Sequence, residues 1–107
     1  MTTAPTIGRI VHYRLTAGDA EQINRRRADA SNLTAAGSTL ASQELGAQIH
    51  VGNSVEQGQV YPATIVRVWD GSASVNLQVA LDGSDTYWAT SRQEGDDEGQ
   101  WAWPTRS

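Results

Sequence analysis

A mainly-β domain of the α+β class is the fold this sequence predicts: a small SH3-like, partly open barrel with an antiparallel meander and one or two short surface helices. Three observations predict it. Val75, Leu77, Val79 and Leu81 alternate with Asn76, Gln78, Ala80 and Asp82, the period of a strand with one buried face. Ahead of it, Ala63 to Trp69 is dense in β-branched residues and stops at Asp70-Gly71, a favoured hairpin pair. Beyond it, Asp82-Gly83 turns the chain into Thr86 to Ser91, a third strand.

The elements follow in order along 107 residues, the size of one domain, so 1–107 is read as a single unit. Residues 8–15 place Val11, Tyr13 and Leu15 on one face and His12 and Arg14 on the other, a half-buried strand. Thr16 to Asp19 supplies capping residues, and 19–30 is built from helix formers. Its apolar stripe is thin because Arg27 interrupts Ala20, Ile23 and Ala30, so the helix is expected to lie on the surface. Residues 31–46 are rich in Ala, Ser, Thr and Gly and read as a flexible or short-helical loop; 47–53 alternates briefly as a short strand. The meander occupies 61–91, an acidic loop follows, and Trp101 and Trp103 within 100–104 form a clasp expected to dock on the barrel.

With no Phe and one Met, the aromatic bulk comes from four tryptophans and three tyrosines. The expected core is Val75, Leu77, Val79 and Leu81, supplemented by Trp69 and Trp88.

Composition removes several function classes. The formal charge is −4 and every basic residue is arginine, which disfavours nucleic-acid binding. With no cysteine there is neither a disulfide framework nor a thiolate zinc site. No stretch approaches the roughly 20 apolar residues of a membrane span, and Met1 to Ile7 lacks the features of a signal peptide, so synthesis and retention in a cytoplasm are expected.

His12 and His50 are the only histidines, and they read as solvent-facing strand residues in preference to ligands. No G-x-S-x-G frames a serine nucleophile, and the acidic run Glu94, Asp96, Asp97, Glu98 lacks calcium-loop spacing. No enzyme, metal or cofactor is expected. Candidate partner-binding residues are Arg25, Arg26 and Arg27, which helical geometry spreads around the axis, and Trp101 and Trp103. The arginines read either as a self-paired exposed helix, with Glu21 to Arg25 and Arg26 to Asp29 at pairing distance, or as a docking helix. The indoles read either as core caps or as an aromatic platform with Trp88.

The succession G-R-I-V-H-Y (Gly8 to Tyr13), D-A-E-Q-I-N-R-R-R (Asp19 to Arg27), G-A-Q-I-H-V-G-N (Gly46 to Asn53), Y-P-A-T-I-V-R-V-W (Tyr61 to Trp69), V-N-L-Q-V-A-L-D-G (Val75 to Gly83), W-A-T-S (Trp88 to Ser91) and W-A-W-P (Trp101 to Pro104) resembles a group of small tailed-phage proteins, particularly of phages infecting actinobacteria. The likeness covers nearly the whole chain and is weakest over Ala28 to Leu45. It implies a biological setting and carries no catalytic or ligand residue. The expectation is a virion structural protein, made in the host cytoplasm, that decorates or cements the capsid by binding shell subunits or copies of itself. The alternative is a non-structural phage protein that captures a host protein during infection.

Overall fold

The structure, a computed structural model, describes residues 4–35 and 52–104, and over 29–35 the backbone only. The segments 36–51, holding the end of the expected loop, most of the 47–53 strand and His50, lie outside the described residues. Five antiparallel strands form one sheet in the order β4-β3-β2-β1-β5. They are β1 Ile10–Arg14, β2 Val60–Val68, β3 Val75–Ala80, β4 Thr86–Arg92 and β5 Trp101–Ala102, with helix α1 Ala17–Ala35 between β1 and β2. The sheet does not close, so the molecule is the open, barrel-like, mainly-β α+β fold that the alternation predicts.

The meander sets the register. Ala63 pairs with Val79 and Ile65 with Leu77 across β2 and β3, and Leu77 with Ala89 and Val79 with Tyr87 across β3 and β4. Paired residues share a face, and all six of these are buried, together with Val11 and Tyr13 of β1, Ala20 and Ile23 of α1, and Val75, Leu81, Leu15, Val55 and Trp101. One face of the sheet is thus the core wall, and α1 contributes to the core that lies against it.

Three expectations are corrected. The helix runs from 17 to 35, longer than 19–30 at both ends, and its earlier start is set by Thr16, which caps it: Thr16 Oγ1 accepts from the Asp19 N–H at 3.0 Å, and the Asp19 carboxylate accepts from the Thr16 N–H at 3.0 Å. Nor is it a bystander on the surface, since Asp19, Ala20, Ile23 and Arg27 are all buried. These residues recur at helical spacing on one stripe, so Arg27 is part of the packed face and does not interrupt it.

Trp88 and Trp69 do not belong to the core, being 61% and 38% exposed. Trp88 faces Gln78 in the register between two inward pairs, so the pleat turns it to the opposite side. Trp69 lies one residue past β2, where the Arg67 guanidinium covers its ring at 5.6 Å.

Gly52 ties the return of the chain to the tip of the β3–β4 hairpin through a bridge with Gly83. A methyl group there would sit 2.5 Å from the Asp82 carbonyl oxygen and 2.6 Å from Gly83 Cα, both backbone atoms. Gly52→Ala is expected to lower folding stability by about 1–3 kcal/mol, measured by urea unfolding; an unchanged midpoint contradicts this packing.

Candidate functional site

The arginine trio separates as helical geometry requires. Arg25 is exposed and pairs with Glu21 at 2.9 Å. Arg26 lies across the Tyr87 ring at 5.7 Å, approaches Asp85 at 3.6 Å and reaches the Thr86 carbonyl at 3.4 Å. Arg27 is only 8% exposed and holds Asp85 at 2.6 Å. It is therefore corrected from a partner-binding candidate to an internal brace between α1 and the β3–β4 hairpin, invisible in sequence because Asp85 lies far along the chain. Arg25 and Arg26, with Gln22, Tyr87 and Trp88, line a shallow groove of about 380 Å³ between α1 and β4.

Of the two C-terminal indoles, Trp101 is buried at 1% exposure and its Nε1–H donates to the Arg92 carbonyl at 3.2 Å. It is a core residue and offers no platform. Trp103 packs edge-on against it with centroids 5.5 Å apart, while Arg9 covers the Trp103 ring at 5.1 Å. His12 is exposed on β1 and, with Arg14, Asp96, Gln100 and Trp103, lines a hollow of about 200 Å³. Among the described residues no group of three or more His, Cys, Asp or Glu side chains is placed to hold a metal ion. No described helix is long and apolar enough to cross a membrane.

The most heavily bonded charged group in the interior is Asp19. Its carboxylate accepts from Tyr13 Oη at 2.5 Å, Tyr87 Oη at 2.8 Å and Arg92 at 3.2 Å, besides the Thr16 N–H. Burial by itself favours the neutral acid. The donors of Thr16, Tyr13 and Tyr87 and the charge of Arg92 outweigh it, and the carboxyl titrates below its ordinary value. Burial first, then the bond to Asp19, pushes the Tyr87 phenol up to about 12 and the Tyr13 phenol up as well. The Asp19 carboxylate is buried and fully occupied by these donors, so this cluster joins helix start to sheet and is structural. Thr16-x-x-Asp19 signals the cap in sequence, but nothing there signals the two tyrosines.

The sheet's other face carries few charges among the described residues. Across the strands, Trp88 faces Gln78, Gln78 faces Thr64 and Thr64 faces Ile10; beside this row run Thr86, Ala80, Pro62, His12 and Ala102. Among the described residues Ile10 is 51% and Val66 37% exposed. The only formal charges on these strands' outer side are Arg67 and Arg14, towards the two ends. No family model, curated protein or solved structure matches the chain.

Proposed function

We propose that this is a non-catalytic virion protein of a tailed phage, a capsid decoration or cement protein that docks through the open face of its sheet. The observation that carries the docking surface is the uncharged row Trp88, Gln78, Thr64 and Ile10, with its tryptophan 61% exposed. Protein interfaces are depleted of charge at their centre and enriched in tryptophan, and a tryptophan left in water by a small chain short of aromatic bulk has a use outside the fold. The phage setting rests on the sequence resemblance described above.

Size refines the reading. A face about five strands wide and six residues long covers roughly 400 Å² at ordinary strand spacings, about half of what one partner gives to a standard interface. Such a patch binds a shell durably when copies engage it together.

Mass spectrometry of purified particles tests the reading: the protein is expected at stoichiometric abundance, and its absence rejects the proposal. Gln78→Arg, which sets an unpaired charge in the centre of the row, is expected to cut particle occupancy roughly tenfold or more while leaving the far-ultraviolet circular dichroism unchanged. Capture of a host protein with none in particles supports the rival reading.

A further inference from the structure

Four arginines are matched by carboxylates: Arg25 by Glu21, Arg26 and Arg27 by Asp85, and Arg92 by Asp19. Arg14 is exposed on β1 and has no carboxylate partner among the described residues. Its Nε–H donates to the Asp96 carbonyl at 3.2 Å and its Nη1–H to the Gly58 carbonyl at 2.9 Å. Its backbone is pinned as well, the N–H donating to the Gln100 carbonyl at 3.2 Å and the carbonyl accepting from the Gly99 N–H at 2.8 Å. Neutral acceptors thus fix the guanidinium in place, leaving its charge uncompensated and Nη2 unused. A planar fork held in this way is pre-organised to take both oxygens of one anion. Arg14 shares the hollow of about 200 Å³ with His12, Asp96, Gln100 and Trp103. His12 lies two residues away on the same outer face of β1 and is exposed, with no side-chain bond or ion pair among the described residues. Gln100 accepts from the Asp97 N–H at 3.1 Å through Oε1, so its NH2 end is the one left without a partner. Trp103, partly buried against the core, is the apolar wall.

We infer that this hollow is a subsite for a single carboxylate, an aspartate or glutamate side chain of the protein on which the outer face of the sheet docks. The inference rests on that docking reading, since the strand residues that line the hollow, His12 and Arg14 with their register partners Ala102 and Val60, belong to the same face. What it adds is the chemistry of the partner: one acid set in an otherwise uncharged contact. Arg14 takes the two oxygens, and His12 and Gln100 stand beside it as further donors. The loop that walls the hollow argues for one charge and against many, because it also carries Glu94, Asp97 and Glu98, all exposed, in a chain of net charge −4. A phosphate or a run of acids meets that repulsion in full, whereas a lone carboxylate in contact with Arg14 gains most from the nearest charge. Asp96 opposes it from within the hollow, and forms no ion pair with Arg14 or His12 that would neutralise either.

NMR titration of the full chain tests this with an end-blocked pentapeptide carrying one glutamate among alanines, against the same peptide with glutamine. The glutamate peptide is expected to shift the resonances of His12, Arg14 and residues 95–103, and the glutamine peptide to leave them in place. Arg14→Lys keeps the charge but loses the fork, and is expected to weaken binding roughly tenfold. Asp96→Asn keeps the backbone carbonyl that holds Arg14, removes the opposing charge and is expected to tighten binding about twofold. No shift at these residues up to tens of millimolar peptide overturns the inference. So do equal shifts with the glutamine peptide, weaker binding by Asp96→Asn, or inorganic phosphate bound in preference to the glutamate peptide. Peptide binding and presence in particles are separate readouts. A chain that binds the peptide but is absent from particles loses the capsid as its partner and keeps the subsite; one that fills particles without binding the peptide loses the subsite alone.

Discussion

Replacing Asp19 by alanine is expected to destabilise the fold by about 3–5 kcal/mol, a fall of some 15 °C or more in melting temperature for a domain of this size. The substitution removes the acceptor for Tyr13, Tyr87, Arg92 and the Thr16 N–H together. It leaves two buried phenols and a guanidinium without their shared counterpart. Because the Asp19 carboxyl is held below its ordinary value in the folded chain, its contribution is fully present above the unfolded-state pKa. It is lost as pH falls through the lower folded value. The phenols act in the opposite direction: with Tyr87 raised to about 12, its contribution holds below pH about 10 and disappears as pH climbs from there through the folded value. Urea unfolding across pH is expected to give a broad plateau with losses at both ends for the native chain, and a shallower acid limb for Asp19→Ala. An unaltered acid limb in the variant contradicts the assignment.

Trp101→Ala is expected to cost about 3–5 kcal/mol as well, by a different route. Trp101 is the largest fully buried side chain among the described residues, and its backbone ties the C-terminal return on both sides: it pairs with Tyr13 in β1, bridges Glu94, accepts from the Gly95 N–H at 2.9 Å and donates to the Gln93 carbonyl at 3.1 Å. Removing the indole loosens β5 and the acidic loop together. The variant is expected to lose near-ultraviolet circular dichroism and to show faster amide exchange over residues 93–102, with the β2–β3–β4 meander still protected. Wild-type exchange in that segment contradicts the role given to the clasp. Trp103→Ala serves as the comparison, since that ring is only partly buried.

The meander was legible because its signal is local. Alternation at Val75 to Leu81 specifies a face, Asp70-Gly71 and Asp82-Gly83 specify turns, and adjacent antiparallel strands need nothing from elsewhere. The two tryptophan errors have separate causes, Trp69 lying one residue past the end of β2. Bulk and hydrophobicity nominate Trp88 for the core, but its place is decided by parity: Tyr87 and Ala89 take the inward positions, and a side chain between them cannot. Reading Thr86 to Ser91 strictly by alternation, anchored on Tyr87, would have put Trp88 outside. Arg27 failed for another reason. A charged residue on a helix reads as solvated unless its buried partner is known, and Asp85 supplies that partner from the far hairpin. The Asp19 cluster gathers residues from α1, β1 and β4, so sequence showed the cap and hid the rest. Of the candidate surface, sequence offered Arg25 and Arg26 but not the uncharged row, which exists only once four strands are set side by side.

The position of β5 next to β1 bears on how the chain reaches this arrangement. Hairpins between β2, β3 and β4 close loops of a few residues, whereas the contact of Tyr13 with Trp101 must bring together stretches separated by most of the polypeptide. Loop-closure entropy grows with that separation and long-range pairings slow the search. The β2–β3–β4 ribbon therefore has the kinetic advantage, and the terminal tryptophan is a latch that engages late, sealing a hydrophobic wall that the earlier stages of assembly leave wet along one side.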